Sequence, residues 1–271
     1  MQLFSEKDFI TATGIDRLGL PALIPQVMQM LQLTKINKIF DDAESEKGIC
    51  FLDALMRNMN ISMRVSDEDL ERIPASGSFI AVANHPFGAL EGMIFLKAFC
   101  TRRADFKLLA NFLLHRVPNL QQFLIPVNPF ETVKSVSSLS GTKLAMASLR
   151  DGHPLGIFPA GEVSSFKLSC FHVTDKPWSP VVAKMILKAK VPVVPVYFHG
   201  HNGMLFHILS LIHPKLRIAK LPSEFANKEG STIRMRIGAP VEPGEFGKME
   251  VRELLTFLRT RTYRLSCPSK H

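Results

Sequence analysis

Residues 79–91 read FIAVANHPFGALE and join an apolar run to a turn that carries a histidine and a glutamate. The first five residues are typical of a buried strand, which Pro86 and Gly88 prevent from continuing. The strand therefore ends at a tight turn that presents His85, with Glu91 at the start of the next helix. An imidazole held by a carboxylate can remove a proton from a hydroxyl or an amine. The alternative is a histidine that only fills the turn or caps the helix.

Strand and helix signals alternate outward from this stretch, from residue 78 to the end of the chain. Apolar runs predict strands, and apolar residues at helical spacing predict helices. The predicted strands are 79–83, 106–110, 123–127, 155–158, 192–198 and 232–237, and the predicted helices are 89–102, 141–151, 179–190 and 248–263. Such alternation predicts an α/β fold with a mostly parallel central sheet flanked by helices.

Two of the predicted strands carry further information about the sheet. Residues 155–158 and 192–198 are apolar on both faces, as expected of strands that helices cover on both sides. The second of them contains Pro192 and Pro195, which cannot donate a hydrogen bond to a neighbouring strand. We therefore expect this strand at the edge of the sheet or beside an irregular site.

Residues 1–75 differ from the rest and predict an N-terminal helical segment. Apolar residues recur at spacings of three and four between 27 and 40, and again between 51 and 56, as on one face of a helix. The acids at 67–69 are typical of a first helical turn. We therefore divide the chain into a helical segment, residues 1–75, that packs on the core or on a membrane, and an α/β domain, residues 76–271.

The composition limits the partner and the compartment. The 271 residues carry a net charge of +9, which favours nucleic acid, an acidic cofactor or a membrane surface. The phenylalanines fit no recognisable nucleic-acid module, so we expect no nucleic-acid partner. The four cysteines are scattered without a CxxC pair and predict free thiols in a reducing compartment. We expect neither a signal peptide nor a membrane-spanning helix, because no long uncharged apolar run exists.

A second strand-to-turn stretch, LGIFPAGEVSS at 155–165, also ends an apolar run with proline and glycine. Its small-residue loop presents Glu162, Ser164 and Ser165. A loop that contains glycine can bring backbone N–H groups close to a ligand. A third stretch, VPVVPVYF at 191–198, contains the strand with two prolines. Together with the turn at His85, these stretches are the candidates for a functional site.

The three stretches, in this order, resemble the motifs of the glycerolipid acyltransferase superfamily, which carries NHxxxxD, FPEGTRS and a late block similar to VPVVPV. The resemblance covers roughly residues 75–240. The sequences NHPFG and FPAGEVS look most like the bacterial hemolysin-like branch, which includes O-acyltransferases that complete ornithine lipids and related amino-acid lipids. The resemblance implies an acyltransferase of lipid biosynthesis.

The chain departs from the family motifs at four positions. The family carboxylate lies five residues after the histidine, where this chain has Leu90, and Glu91 follows one place later. A glycine turn can absorb the extra residue. The acid and the arginine of FPEGTRS are replaced by Ala160 and Val163, and a further family arginine is replaced by Asn128.

The replaced arginines bear on the choice of acceptor. In the family they are associated with the phosphate of a lysophosphatidic acid acceptor, which guanidinium matches in shape and charge. Their absence favours a lyso-amino-acid lipid, such as lyso-ornithine or lyso-glycine lipid, over a phosphate-headed acceptor. The alternative, that another cation supplies the charge, stays open for Lys107, Lys143, Arg150 and Lys167.

The resemblance implies acyl transfer from a thioester to a lipid hydroxyl, with His85 as the general base and Glu91 holding the imidazole. No covalent acyl-enzyme is needed, because the thioester is already activated. Backbone N–H groups at 161–164 are the candidates for stabilising the oxyanion. The predicted substrate-binding residues are Asn84, Pro86, Phe87, Gly88, Lys107, Phe158, Pro159, Gly161, Glu162 and Ser164.

The expected donor is acyl carrier protein or acyl-CoA, and the expected acceptor is a lyso-lipid at the cytoplasmic face of the inner membrane. Attachment there would be peripheral, through one of two basic clusters, unless both clusters are ordinary solvated faces. The clusters are Lys184, Lys188 and Lys190, and Lys215, Arg217 and Lys220. We expect no cofactor.

Other functions remain as alternatives. The histidines at 199, 201, 207 and 213 could suggest a metal site, but no acid or thiolate accompanies them, so we expect no metal. A 1-acylglycerol-3-phosphate acyltransferase, or a non-catalytic lipid- or carrier-binding protein of the same fold, would share the motifs. A nucleic-acid binder would rest on the net charge alone.

Overall fold

A seven-stranded sheet forms the centre of the computed structural model, which describes residues 26, 28–29, 31–111, 117–127 and 137–267. The strands of the protein are β1 (Ser62–Arg64), β2 (Ile80–Ala83), β3 (Lys107–Asn111), β4 (Leu124–Val127), β5 (Leu155–Ile157), β6 (Ser165–Lys167), β7 (His172–Thr174), β8 (Val193–Phe198) and β9 (Thr232–Ile237). The order in the sheet is β1-β9-β8-β2-β5-β3-β4, while β6 and β7 form a separate antiparallel hairpin. All neighbours in the large sheet are parallel except β8 and β9.

Helices connect and cover these strands. They are α1 (Leu33–Asp41), α2 (Gly48–Asn58), α3 (Asp67–Glu71), α4 (Ala89–Cys100), α5 (Ser137–Arg150), α6 (Pro180–Ala189), α7 (Met204–Ile212), α8 (Pro214–Ala226), α9 (Pro243–Phe246) and α10 (Val251–Arg264), with a 3₁₀ turn at Pro118–Phe123. The predicted fold class, a mostly parallel sheet flanked by helices, is confirmed. Each predicted strand and helix is present, with its ends shifted by a few residues at most.

The hydrophobic core lies on both faces of the sheet. In β2, Ala81 and Ala83 face a cluster that α1, α2 and α4 cover, whereas Ile80 and Val82 face a cluster that α5, α6 and α10 cover. This alternation follows from the two-residue repeat of a strand. A fully buried Leu, Ile or Phe side chain contributes roughly 1.5–3 kcal/mol, so the two clusters supply most of the stabilisation of the sheet.

The described part of residues 1–75 shares the core of the sheet. Phe40 and Phe51, whose rings lie 6.0 Å apart, belong to the same cluster as Phe79 and Phe95. The predicted helical segment also contributes a strand to the sheet, β1, which pairs with β9. Residues 1–25, 27 and 30 lie outside the described residues.

We expected β8 at the edge of the sheet or beside an irregular site, and the first alternative is wrong, because β8 lies between β9 and β2. The sheet tolerates Pro195 there because the pairing with β9 stops at Ile237. Beyond that point the N–H of Gly238 donates to the Pro195 carbonyl at 2.8 Å, and pairing resumes between Val193 and Val241. The missing N–H of Pro195 therefore coincides with a break in the neighbouring strand.

Two helices between β8 and β9 were not predicted. In α7 the buried side chains are Phe206 and His207, while the opposite surface is apolar and exposed. We call this surface the α7 face, and it consists of Met204, Leu205, Ile208, Leu211 and Ile212. No helix within the described ranges is long and apolar enough to cross a membrane.

Candidate active site

The turn after β2 begins with Asn84, which joins the ends of two strands. Its amide Nδ2 donates to the carbonyl of Phe198 at 2.9 Å, and its Oδ1 accepts from the N–H of the same residue at 2.7 Å. Both polar atoms of this buried side chain are thus used to hold β2 against β8. The arrangement fixes the direction in which the chain leaves β2, and the next residue is His85.

The imidazole of His85 lies between a carboxylate and an aromatic ring. Its Nδ1 is 2.8 Å from Oε1 of Glu91, and the ring stacks on Phe158 at 4.2 Å between centroids. The His85 side chain is 16% exposed, whereas Glu91 is completely buried. Because a carboxylate oxygen accepts hydrogen bonds, Nδ1 carries the proton and the lone pair resides on Nε2. This tautomer makes Nε2 the atom that can accept a proton from a ligand.

Glu91 is held by the first turn of α4. Its Oε1 accepts from the N–H groups of Phe87 at 2.8 Å and Gly88 at 2.9 Å, in addition to His85. Three donors on one oxygen, at the positive end of a helix, suit an ionised carboxylate. Gly88 has φ 115°, a conformation that favours glycine, and this turn accommodates the residue by which Glu91 is displaced from the family spacing.

The loop after β5 is attached to the His85 turn by main-chain and side-chain contacts. The N–H of Ser164 donates to the carbonyl of His85 at 2.7 Å, and its hydroxyl donates to Asp175. Asp175 also accepts from the N–H of His85 at 3.2 Å and from Nε1 of Trp178 at 3.0 Å. This buried carboxylate therefore joins three segments of the site, and the sequence analysis missed it.

Of the four backbone N–H groups at 161–164 that could stabilise an oxyanion, two are already used in hydrogen bonds within the protein. The N–H of Gly161 donates to the carbonyl of Phe158 at 3.0 Å, and that of Ser164 is used by His85. Within the described ranges, the N–H groups of Glu162 and Val163 make no backbone hydrogen bond. Pro159 contributes through its carbonyl, which accepts from the N–H of Ser179 at 2.9 Å and fixes the start of α6.

Two cations bond Glu162 and a third, Lys167, lies near them, and we call these four residues the Glu162 cluster. Lys176 lies 2.6 Å from one carboxylate oxygen, Arg217 is hydrogen-bonded to the other, and Lys167 donates to Ser165 at 3.0 Å. Burial raises the pKa of Glu162, but the Lys176 hydrogen bond and the Arg217 charge outweigh it and leave that pKa below its ordinary value. Glu162 is therefore paired, and the cluster carries more positive than negative charge.

Pro86 and Phe87, the next two residues of the turn, are both buried. The Phe87 ring is buried so tightly against Gly200 that a Cβ on that glycine would lie 2.8 Å from it. The Phe87 carbonyl accepts from Asn202 at 3.2 Å, and the ammonium group of Lys228 lies 4.9 Å from the ring centroid. These contacts attach the turn to the segment that follows β8 and to Lys228.

Lys107 does not lie at this site. It pairs with Leu155, which pairs with Ile80, so it is level with the beginning of β2. His85 follows the end of β2, five residues from Ile80 and roughly 16 Å further along the strand direction. Because the strands are parallel, Lys107 lies at their amino ends, whereas His85 lies at their carboxyl ends. We therefore withdraw Lys107 as a substrate-binding residue.

The structure also shows where the other cations lie that could replace the missing family arginines. Lys143 and Arg150 are exposed on α5, and Asn128 lies outside the described residues. Lys167 is in the Glu162 cluster. Arg217, expected on a basic surface, has a side chain that is only 9% exposed and bound to Glu162, so that surface cluster is corrected.

The histidines after β8 and the cysteines are the remaining side chains that could bind a metal ion or react. Burial, followed by the charge of Arg234, lowers the pKa of His199, and burial, followed by the charge of His201, lowers that of His207. Among the described residues no three His, Cys, Asp or Glu side chains are arranged to hold a metal ion. The cysteines are free, and burial raises the pKa of Cys100 to about 12, which keeps its thiol unreactive.

The fold and the site define an α/β protein with a carboxylate-held histidine at the carboxyl ends of parallel strands. A family model described as "Acyltransferase" matches residues 25–269. The chain therefore belongs to this acyltransferase family, and its predicted membership of the glycerolipid acyltransferase superfamily, as an enzyme, is confirmed.

Two curated relatives and one solved structure are similar over most of the chain. A lyso-glycine lipid O-acyltransferase of Bacteroides thetaiotaomicron is 25% identical, and the aligned region covers 83% of this chain and 83% of the relative. A protein of the same name from Phocaeicola vulgatus is 24% identical and covers 96% of this chain and 94% of its own length. The crystal structure of the 1-acyl-sn-glycerophosphate acyltransferase PlsC from Thermotoga maritima is 17% identical, with a TM-score of 0.50, and covers 86% of this chain and 80% of its own. At that identity the last likeness concerns the fold alone.

Proposed function

We propose that the chain transfers a fatty acyl group from a thioester to the hydroxyl of a lyso-lipid, with a lyso-amino-acid lipid such as lyso-glycine or lyso-ornithine lipid as acceptor. The observation that carries the proposal is the 2.8 Å contact between Nδ1 of His85 and Oε1 of Glu91, which leaves Nε2 as a base. The names of the two curated relatives support the class of acceptor.

In the proposed reaction, Nε2 of His85 takes the proton of the acceptor hydroxyl as its oxygen attacks the thioester carbonyl. Glu91 stabilises the imidazolium that forms. The N–H groups of Glu162 and Val163 donate hydrogen bonds to the oxyanion of the tetrahedral intermediate. Collapse of the tetrahedral intermediate forms the ester and expels the thiolate, which recovers the proton from His85. The enzyme itself forms no covalent bond.

The remaining roles at the site follow from the contacts. Phe158 limits the movement of the His85 ring, while Asn84, Gly88, Pro159 and Ser164 hold the backbone around it. These residues therefore act on the substrate mainly through the position of the imidazole, and the other predicted substrate-binding residues, Pro86, Phe87, Gly161 and Glu162, border the same turn and loop.

We place the reaction at a membrane surface, with acyl carrier protein or acyl-CoA as the donor. The α7 face is one apolar surface that could contact lipid. The β6–β7 hairpin, against which α7 packs, adds two more exposed apolar side chains, Leu168 and Phe171. Exposed apolar side chains on neighbouring elements of a basic protein suit peripheral contact with lipid. The cytoplasmic face of the inner membrane fits a donor that is made in the cytoplasm.

Transfer of a labelled acyl group tests the proposal. The purified protein is incubated with acyl carrier protein thioester or acyl-CoA and with lyso-glycine lipid, lyso-ornithine lipid or lysophosphatidic acid. We expect a new ester on a lyso-amino-acid lipid, and a rate that falls about 10²–10⁴-fold in His85→Ala. Preference for lysophosphatidic acid would refute the acceptor class. Binding without transfer would favour a non-catalytic carrier- or lipid-binding protein.

A further inference from the structure

The Glu162 cluster contains more positive charge than its single carboxylate can balance. Lys176 and Arg217 each bond Glu162, whereas Lys167 bonds only the hydroxyl of Ser165 within the described part of the chain. An ammonium group has three donors, so Lys167 and Lys176 each retain donors for a further partner. Burial, then the charges of Arg217 and Lys176, lower the pKa of Lys167. An anion between these cations would relieve that repulsion.

The cluster is attached directly to the turn that carries His85. Glu162 precedes Ser164 by two residues, and Ser164 bonds the His85 carbonyl. Lys176 follows Asp175, which accepts from the N–H of His85. A Cβ on Gly88 would lie 3.3 Å from Leu221, one helical turn after Arg217 on α8. Three connections therefore hold the excess charge close to the turn that carries His85.

Exposed apolar side chains flank the cluster on one side. Lys167 is followed by Leu168, and the hairpin that contains both also presents Phe171, which is 80% exposed. A ligand with one anionic group and an apolar chain would meet both kinds of surface. The guanidinium of Arg217, whose side chain is only 9% exposed, bonds Glu162 and keeps it in place.

We propose that Lys167 and Lys176, supported by Arg217, form a subsite for the anionic head group of the acceptor lipid. This inference rests on the proposed function. Val163 occupies the position of the family arginine, and here the charge comes from a strand, a turn and a helix instead. A carboxylate and a phosphate share the required chemistry, so the experiment must separate them.

Steady-state kinetics with paired acceptors test the subsite. The acceptors are lyso-glycine lipid, its methyl ester, which has no head-group charge, and lysophosphatidic acid. For the unsubstituted enzyme we expect the KM of the methyl ester to be about tenfold above that of the free acid, which corresponds to about 1.4 kcal/mol. In Lys167→Gln the KM of the free acid should rise about tenfold, with kcat and the KM of the ester unchanged.

Two control variants separate the subsite from general effects of charge. Lys167→Arg keeps the positive charge and should restore the KM of the free acid to within about threefold. Lys248→Gln removes an exposed lysine that follows α9 and should change the KM of neither acceptor. The thioester donor gives a further control, since its KM should be the same in all variants. A rise confined to the donor KM would overturn the inference, because the cluster would then bind the donor.

The outcomes distinguish this inference from the proposed function. Transfer to the free acid and the ester with equal KM, unaffected by Lys167→Gln, would overturn the subsite and leave the function standing. If lysophosphatidic acid is the better acceptor and Lys167→Gln raises its KM, the subsite stands with phosphate as its ligand, and the proposed acceptor class falls. Absence of transfer to every acceptor would overturn both.

Discussion

Among single residues, Glu91 shows how a displaced carboxylate can still reach its histidine. The sequence predicts the pair but also a spacing one residue longer than in the family. Gly88 makes the difference because its φ of 115° turns the chain so that Oε1 meets Nδ1 of His85 and two N–H groups. The contact is present, and the catalytic role of the pair stays a prediction.

Glu91→Gln should lower kcat about 10²–10⁴-fold with little change in KM, because a neutral amide cannot stabilise the imidazolium of the transition state. Glu224→Gln is the matched control, since Glu224 is also buried but accepts from the N–H of Gly203 at 2.7 Å rather than from His85. Its kcat should stay within about threefold of the unsubstituted enzyme. Full activity of Glu91→Gln would show that another group holds the base.

Asp175 could not be predicted because its partners are distant in sequence. The stretch Asp175-Lys176-Pro177-Trp178 predicts a turn and a helix start, both of which any polar residue would satisfy. Its carboxylate acquires a role only when the folded sheet brings His85 and Ser164 to it. Tyr263 of α10 then bonds its N–H at 3.1 Å, which encloses the group further.

Asp175→Asn should destabilise the protein by about 2 kcal/mol, because one of three buried donors would face an amide N–H in place of an acceptor. Urea unfolding followed by fluorescence measures this loss. Asp42→Asn serves as the control, since Asp42 is exposed at the end of α1, and it should shift stability by less than about 0.5 kcal/mol. Equal midpoints for the two variants would contradict the role assigned to Asp175.

Among the elements, the six strands β2, β3, β4, β5, β8 and β9 were predictable, whereas β1, the β6–β7 hairpin and the helices α7 and α8 were not. Each buried strand is an apolar run between turn residues, and this pattern identifies it without its neighbours. The sequence of α7, MLFHILSLI, has apolar residues on both its buried and its exposed surfaces, so the usual alternation of polar and apolar faces is missing. β1 escaped prediction because three residues, SMR, gain strand structure only by pairing with β9, about 170 positions later.

Polar substitutions on the α7 face should weaken membrane binding. Each large apolar side chain that enters a membrane contributes roughly 1.5–3 kcal/mol, so Leu205→Gln with Ile212→Gln should lower vesicle binding more than tenfold. Sedimentation with vesicles of phosphatidylglycerol and phosphatidylethanolamine measures it. Leu144→Gln is the matched control, because Leu144 is 52% exposed but lies on α5. Unchanged sedimentation of the double variant would mean that another surface contacts lipid.

In the whole molecule, the parallel strands separate the site, at their carboxyl ends, from the Asp105 ion pairs before the start of β3. The predicted parallel sheet already implies this separation. In such a sheet the residues that precede strands lie at one end, and the residues that follow strands lie at the other. Applied to Lys107, which begins β3, the same rule excludes it from the site of His85, which follows β2. Placement of the Glu162 cluster could not be foreseen, because α8 supplies Arg217 from a helix that the sequence analysis lacked.

The end opposite the site is held by Asp105, and this predicts stability that depends on pH without an effect on catalysis. The hydrogen bonds from Arg103, at 2.9 and 2.8 Å, lower the pKa of Asp105 from 3.8 to about 2, against burial, which raises it, and with help from His153. Arg103 also donates to the carbonyl of Gly152 at 3.0 Å, so the ion pair connects the turns before β3 and β5.

A group whose folded-state pKa is depressed stabilises the protein above its unfolded pKa and loses that effect as pH falls through the folded value. Asp105→Asn should therefore cost about 1 kcal/mol at pH 7, a modest figure because the side chain is one-third exposed, and the difference from the unsubstituted protein should vanish between pH 4 and pH 2. Urea midpoints at pH 7, 4 and 2 measure it, with exposed Asp151→Asn as the control. Activity at pH 7 should be unchanged in both, and a difference that persists at low pH would refute the ion pair as its cause.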